Sequence, residues 1–317
     1  MDIMDKLSLA GLVPVIKIDD ADDAVPLCKA LMDGGLPVAE ITFRTAAAEQ
    51  AIKNVHEVLP EVMLGAGTVL TVDQVKRAVA AGATYIVSPG LNPTVVSYCV
   101  ENNIAILPGC ANPSDIEMAL SFGLETVKFF PAEAAGGINF IKAISAPYGN
   151  MKFVPTGGIG EKNLMDYLSF PKVRAAGGSW MVPRDAVKNK DWDKITLLTK
   201  QAVKLMLGLE LKHIGINSAS PEKAMKDAEM FCFLTGLTLK DGASSVFAGS
   251  EFEFMKKPFR GTNGHIALAV NSIARAKWHL EQRGFVFDED AAVKDGKMVA
   301  IYLKDEIAGF AVHLLQK

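Results

Sequence analysis

Lys128 is the one charge in the apolar run Val127-Lys128-Phe129-Phe130-Pro131. A lysine held among aromatic side chains loses solvation of its ammonium form, so its free amine can attack a carbonyl and form a Schiff base. The alternative for such a residue is a snorkelling or ion-paired lysine. Glu40 lies inside another β-rich run, Val38-Ala39-Glu40-Ile41-Thr42, and Arg44 follows four residues later. A carboxylate beside an imine-forming lysine can shuttle protons through carbinolamine formation, C–C cleavage and enamine protonation, while an arginine can hold a substrate carboxylate as a fork. A Glu40–Arg44 or Glu40–Lys128 salt bridge would satisfy the same charges without chemistry. The third group is glycine-rich, Thr156-Gly157-Gly158 and Gly177-Gly178-Ser179. Glycines let backbone N–H groups approach an anion closely, and Thr156 and Ser179 add hydroxyl donors. Either loop alone reads as a tight turn; the two together favour phosphate binding.

These residues need a scaffold, and the chain spells one out. From Leu12 to about Val182 it alternates short β-rich runs, ending in Gly, Pro, Thr or Ser, with longer stretches of helical period. The runs begin near Val13, Pro37, Val62, Thr84, Ile104, Glu125, Met151 and Val173, each about 20 to 26 residues after the last. Eight βα units predict an α/β fold, a (β/α)8 TIM barrel, in preference to an open doubly wound sheet. An open sheet would often carry its phosphate loop after the first strand, whereas here the glycine-rich loops follow the seventh and eighth, where barrels place them. Strand-end residues then face the barrel mouth, which is where Lys128, Arg44 and the glycine loops fall.

The segment from Asp191 to Leu209 reads as the closing helix, with Ile195, Leu198, Ala202, Leu205 and Leu209 at spacings of three and four. The barrel domain is thus 1–209, and 210–317 form a smaller α+β domain. Its periodicity is different: strand-like KHIGIN, a helix from Pro221 to about Phe233, an Asp241-Gly242 turn, and strand-like SSVFAG and FEFM. A second pass starts at His265, with a helix, an Asp295-Gly296 turn and the strands VAIYL and AVHLL. The first copy is expected to be the shorter, βαββ in style. His213 and His265 open the first strand of each copy, and Glu253 and His313 sit in the corresponding last strands.

Composition bounds the rest. The chain has 317 residues, 50% hydrophobic and 22% charged, enough to bury substantial cores and too apolar for a disordered or fibrous protein. Its net charge is −3, and neither the barrel part (19 basic, 22 acidic) nor the tail (14 and 14) is a basic nucleic-acid binder. No apolar run approaches a membrane span, and Asp2 and Asp5 stand where a signal peptide would be positive, so a cytoplasmic location is expected. The four cysteines form no CxxC pair and read as buried reduced thiols rather than a disulfide frame, a zinc knuckle or a redox centre.

At this point several motifs in order resemble one family: Glu40-Ile41-Thr42-Phe43-Arg44-Thr45, Gly65-Ala66-Gly67-Thr68-Val69-Leu70, Ser88-Pro89-Gly90, Lys128-Phe129-Phe130-Pro131-Ala132-Glu133, Pro155-Thr156-Gly157-Gly158-Ile159 and Gly177-Gly178-Ser179-Trp180. Residues 8–206 are similar to the 2-keto-3-deoxy-6-phosphogluconate (KDPG) aldolases, a family that includes 4-hydroxy-2-oxoglutarate aldolases. The resemblance implies a class I aldolase, a homotrimer of barrels that needs no metal or other cofactor. It would cleave the phosphorylated 2-keto acid to pyruvate and glyceraldehyde 3-phosphate, with 4-hydroxy-2-oxoglutarate as a second substrate. It makes Lys128 the Schiff-base lysine and Glu40 the general acid/base. Arg44, Thr68 and Thr156 would line the pyruvate end, Pro89 and Phe130 would shape the pocket, and Gly157, Gly158, Gly178 and Ser179 would hold the phosphate. One departure, Gly109-Cys110-Ala111-Asn112 where the family more often has Ser and Thr, leaves that set intact and bears on the aldehyde fragment. The tail resembles the vicinal-oxygen-chelate superfamily of glyoxalase I and extradiol dioxygenases, whose paired βαβββ modules curl around a divalent metal. That resemblance makes His213, Glu253, His265 and His313 candidate ligands, with His313 where a Glu is more usual. The set suits zinc, nickel, iron or manganese. The tail would then be a fused metal-dependent glyoxalase-like or dioxygenase-like enzyme; the alternative is a non-catalytic module for regulation, assembly or stability.

Overall fold

Alternating β-branched runs and amphipathic helices become an eightfold strand–helix repeat in the computed structural model, which describes residues 1–317. A leading helix α1 (Ile3–Ala10) is followed by β1 (Leu12–Ile16), α2 (Ala24–Asp33), β2 (Val38–Thr42), α3 (Ala48–Val58), β3 (Met63–Gly67), α4 (Val72–Ala80), β4 (Tyr85–Val87) and α5 (Pro93–Glu101). Then come β5 (Ile106–Leu107), α6 (Pro113–Ser121), β6 (Thr126–Phe129), α7 (Gly137–Ile144), β7 (Lys152–Pro155), α8 (Leu164–Leu168), β8 (Ala176–Gly178), α9 (Arg184–Lys188) and α10 (Trp192–Leu207). Helix starts follow local chemistry: Thr71, Asn92 and Asn112 each accept a backbone N–H at the head of α4, α5 and α6, and Pro93 and Pro113 fill the first turn.

The strands are parallel, in the order β5-β4-β3-β2-β1-β8, with β6 and β7 paired to each other. Bridges from Gly109 to Lys128 and from Thr156 to Gly177 join that pair to β5 and β8, so the sheet curls back on itself as a TIM-like ring. Alternation then decides which side chains enter it. Ala39, Ile41, Leu64, Ala66 and Ile86 pack in the layer between strands and helices. Glu40, Gly65, Gly67 and Tyr85, one residue out of phase, therefore face the interior. On β6, Phe129 stacks on Phe140 of α7 with ring centres 5.8 Å apart, which turns Lys128 inward. Cys28, Cys99 and Cys110 are buried free thiols, and burial pushes Cys28 and Cys110 up to about 12 and Cys99 to about 11.

The chain divides into two compact units, Met1–Met206 and Leu207–Lys317, at the end of α10. The second holds β9 (Glu210–Asn217), α11 (Pro221–Thr235), β10 (Leu239–Asp241), β11 (Ser245–Ala248), β12 (Phe252–Met255), β13 (Gly264–Val270), α12 (Ile273–Glu281), β14 (Phe287–Lys294), β15 (Lys297–Leu303) and β16 (Phe310–Gln316). The first copy is not short. It has a third strand, β10, whose Leu-Lys-Asp sequence is exposed throughout and carries no alternation to read. Both copies are βαβββ units in one mixed sheet, ordered β10-β11-β12-β9-β13-β16-β15-β14. The first strands meet antiparallel at the centre, and each last strand lies parallel beside its own first strand. No helix is long and apolar enough to cross a membrane.

Candidate functional site

Lys128 and Glu40 arrive from opposite arcs of the ring, and Lys128 Nζ lies 3.5 Å from Glu40 Oε1. Both are buried, at 6% and 3% exposure, so the pair meets out of bulk water, where opposite charges attract more strongly than at the surface. Space for the carboxylate comes from β3: a Cβ on Gly67 would sit 2.3 Å from Glu40 Oε1. Phe130 follows Lys128 at the rim, its ring 5.2 Å from the amine and 37% exposed. The same ring lies 3.4 Å from where a Cβ on Gly157 would project, so the β7 glycine loop and the lysine share one aromatic wall. The Phe130–Pro131 peptide is cis.

Arg44 and Ser179, which the resemblance sends to opposite ends of a substrate, line one cavity of about 110 Å³ with Lys17 and Arg184. Arg44 Nε donates to Thr42 Oγ1 at 3.0 Å, and Thr42 Oγ1 donates to the carbonyl of Ile16 at 2.7 Å, so the base of the guanidinium is fixed to β1 and β2. Lys17 and Arg184 were not singled out from sequence. Lys17 stands beside Asp19, with which it pairs at 2.5 Å, and reads as an ordinary surface charge. Thr156 is buried against β8, its Oγ1 2.3 Å from where a Cβ on Gly177 would be. Gly157 and Gly158 both have left-handed φ, +101° and +81°, a turn that other residues enter only with strain. Gly178 is covered by the Trp180 ring, and Ser179 is exposed beyond it. Thr68 and Pro89 are half-buried at the ends of β3 and β4, Thr68 with φ +57°. Nine of the eleven barrel residues named from sequence thus lie on β2, β6, β7 and β8 or the loops that follow them, and these last two in the loops that follow β3 and β4.

A ring of parallel strands with a buried lysine–carboxylate pair and a cationic cavity at its strand ends defines an α/β-barrel enzyme. Residues 3–198 match the KDPG and KHG aldolase family, and the chain belongs to that family. It is 45% identical over 204 residues to the 2-dehydro-3-deoxy-phosphogluconate aldolase of Treponema pallidum, covering 64% of this chain and 97% of that one. The KHG/KDPG aldolase of Escherichia coli K12 is 42% identical over 197 residues, 62% of this chain and 92% of that one. Among solved structures, Legionella pneumophila KDPG aldolase, with pyruvate captured as a covalent carbinolamine intermediate, superposes with a TM-score of 0.61 at 42% identity, covering 62% of this chain and 97% of that one. The barrel is a lyase of the aldolase type.

In the second unit, register brings four side chains to one face. Glu253 on β12 is opposite Gly215 on β9, which is opposite His265 on β13; His213, two residues before Gly215, is opposite Ala267, which is opposite His313 on β16. The arrangement is two-fold: His213 exchanges with His265, Gly215 with Ala267, and Glu253 with His313. Gly215 leaves room for the His265 ring, 2.1 Å from where its Cβ would be. His213 Nε2, His265 Nε2 and Glu253 Oε2 form a triangle with edges of 3.0, 3.1 and 3.3 Å. Ligand atoms sharing a divalent cation at about 2.1 Å are separated by about 3.0 to 3.4 Å, so the triangle has the size of a coordination face.

The ring nitrogens of the three histidines converge within 4.8 Å, and both nitrogens of His313 are buried without a hydrogen-bond partner. Burial, reinforced by His265 and His213, pushes His313 down to about 3, which keeps it neutral with a free lone pair at neutral pH. Burial likewise lowers His213, against the opposing charge of Glu253. Burial works against ionising Glu253, but hydrogen bonds from His265 and Ser245 outweigh it and hold the carboxyl below its usual range. A neutral His313 imidazole and an ionised Glu253 carboxylate are protonation states a metal requires, and the N3O set fits a borderline divalent ion. Sequence reading did not anticipate the walls: Tyr302 stacks on His313 at 4.5 Å, and Phe247, its two-fold counterpart opposite Glu253, meets His213 edge-on at 6.0 Å.

Proposed function

We propose that the barrel cleaves 2-dehydro-3-deoxy-6-phosphogluconate to pyruvate and glyceraldehyde 3-phosphate, the aldol step of the Entner–Doudoroff route, through an imine on Lys128. The observation that carries this is the buried contact of Lys128 with Glu40 at 3.5 Å. The Lys128 amine attacks C2, and loss of water gives the iminium. Glu40 takes the C4 hydroxyl proton, the C3–C4 bond breaks, and its electron pair moves into the iminium as an enamine while the aldehyde leaves. Protonation at C3 and hydrolysis release pyruvate and restore the amine, with no net redox change. The captured carbinolamine of the Legionella protein supports the same covalent route in this chain.

The cavity of Arg44, Lys17, Arg184 and Ser179 holds cationic donors that can take a terminal phosphate or a carboxylate, which supports 4-hydroxy-2-oxoglutarate, cleaved to pyruvate and glyoxylate, as a second substrate. Thr68, Thr156, Pro89 and Phe130 would shape the keto-acid end, and the backbone of Gly157, Gly158 and Gly178 the phosphate end. The test is borohydride reduction in the presence of pyruvate, followed by peptide mapping. A reduced adduct on Lys128 is expected; none, or one on another lysine, would sink the imine route. A homotrimer of barrels in the cytoplasm is the assembly and setting that family likeness supports, and light scattering tests the trimer.

For the tail, we propose a divalent-metal module held by His213, Glu253, His265 and His313, of vicinal-oxygen-chelate type. The paired βαβββ units and the partnerless nitrogens of His313 support it. A bound ion would act as a Lewis acid toward an oxygen ligand. The four side chains would hold it, with Phe247 and Tyr302 walling the site against His213 and His313. Elemental analysis of the purified protein should give one ion per chain, lost in His265→Ala. Absence of metal after reconstitution would leave the tail as a non-catalytic module.

A further inference from the structure

We infer that Tyr85 is a positioning residue for Glu40, its hydroxyl supplying the hydrogen bond that the carboxylate needs once Lys128 is bonded to substrate. This rests on the imine route proposed above. Tyr85 opens β4 and faces the barrel interior. One row of register crosses the sheet from Glu40 to Gly65 to Tyr85. Gly65 has no side chain, and the tip of the Tyr85 ring takes its place: Cζ, the carbon bearing the hydroxyl, lies 2.2 Å from where a Cβ on Gly65 would be. The ring therefore spans the β3 column and delivers its hydroxyl toward the strand that carries Glu40.

That hydroxyl is fully buried and has no hydrogen-bond partner. A phenylalanine would fill the same space without stranding a donor, so fold stability alone does not account for a tyrosine here. Burial and then the charge of Glu40 raise Tyr85 well above the usual tyrosine range, which keeps it a proton-bearing donor. Around Glu40, the titratable groups are Lys128 from β6 and Tyr85 from β4; β1 brings Val15 to the row and β3 brings Gly65 and Gly67, while Arg44, just past the end of β2, donates to Thr42.

At rest the carboxylate faces the Lys128 ammonium. Imine formation ties that nitrogen to carbon and reduces its hydrogens from three to one, just when Glu40 must be ionised to take the C4 hydroxyl proton. The Tyr85 hydroxyl then donates to the carboxylate and holds it in its charged form.

The test is Tyr85→Phe in the full-length protein, with kcat and KM for 2-dehydro-3-deoxy-6-phosphogluconate measured across pH, alone and in a Glu40→Gln background by single turnover. The expected result is a kcat about tenfold lower at neutral pH with KM unchanged within about twofold. The acidic limb of the kcat profile moves to higher pH, because a carboxylate that loses a donor holds its proton more readily. In Glu40→Gln the second substitution should cost less than about twofold, since the tyrosine acts through the carboxylate. The thermal midpoint of Tyr85→Phe should stay level or rise, as a stranded hydroxyl is removed. An unchanged acidic limb, an equal loss in the Glu40→Gln background, or a lowered midpoint overturns the inference. If the wild type traps no pyruvate on Lys128, the imine route fails and this goes with it; if Tyr85→Phe traps it normally and keeps the parent pH profile, only the role of Tyr85 fails.

Discussion

At the scale of single residues, the barrel's site depends on side chains that are absent as much as on those present. A methyl group on Gly67 would lie 2.3 Å from Oε1, 2.8 Å from Cγ and 2.9 Å from Cδ of Glu40. The carboxylate would have to swing away, and the direction that brings it to Lys128 is the one the methyl blocks. Gly67→Ala is therefore expected to lower kcat by about 10- to 100-fold, the scale on which misplacing a reacting group by about an ångström acts. Its cost in stability should be only about 1 to 3 kcal/mol, as for other overpacked interiors. Steady-state kinetics beside a thermal melt check this; a folded variant with parental kcat would show that Glu40 works from another position. Lys128 and Glu40 were legible in the sequence because each is a lone charge in an apolar strand. Gly65 and Gly67 were legible only as parts of a motif. What a glycine makes room for is decided by the neighbouring strand, here Tyr85 and Glu40, and no local pattern records that.

Among elements, legibility followed burial. The barrel strands carry continuous apolar runs between amphipathic helices, and a repeat of that kind needs no long-range information to be read. β10 was missed because it is an exposed sheet edge, where neither face is selected for apolarity. The two-fold logic of the tail's central strands lies between these cases. The positions of His213, His265, Glu253 and His313 in matching strands were visible, but their placement on one face needed the register across β12, β9, β13 and β16. Gly215 shows what the register demands, since a Cβ there would lie 2.1 Å from Cε1 of His265. Gly215→Ala should displace that ring and weaken metal binding about 10- to 100-fold, as altered support of a ligand commonly does, while leaving the aldolase reaction unchanged. Competition against a chromophoric chelator measures the effect; affinity within about twofold of the parent would place the ion away from His265.

At the scale of the whole molecule, the question is whether the aldolase needs its tail. The match to the family ends at residue 198, and the Treponema pallidum relative is covered over 97% of its length by 204 residues of this chain. A protein with little more than the barrel thus carries the aldolase name. The barrel also has its own core: the buried cluster that runs from Ile16 through Ile41, Leu64, Ile86 and Ile106 to Ile195 lies wholly within the first unit. The Lys128–Glu40 contact and the cavity of Lys17, Arg44, Ser179 and Arg184 draw on no residue of the second. Truncation after Leu209 is therefore expected to leave kcat/KM for the phosphorylated keto acid within about twofold of the full chain, as for independent sites. Chelation of the full chain should give the same result, because no proposed step on Lys128 passes through a metal. The two treatments are informative together. Activity kept after both, with metal lost only from the full chain, means two independent sites on one polypeptide. Activity lost on truncation but kept on chelation would make the tail a packing or assembly module. Activity lost on both would make its metal state a control on the barrel, and the independence argued from the barrel's closed core would be wrong.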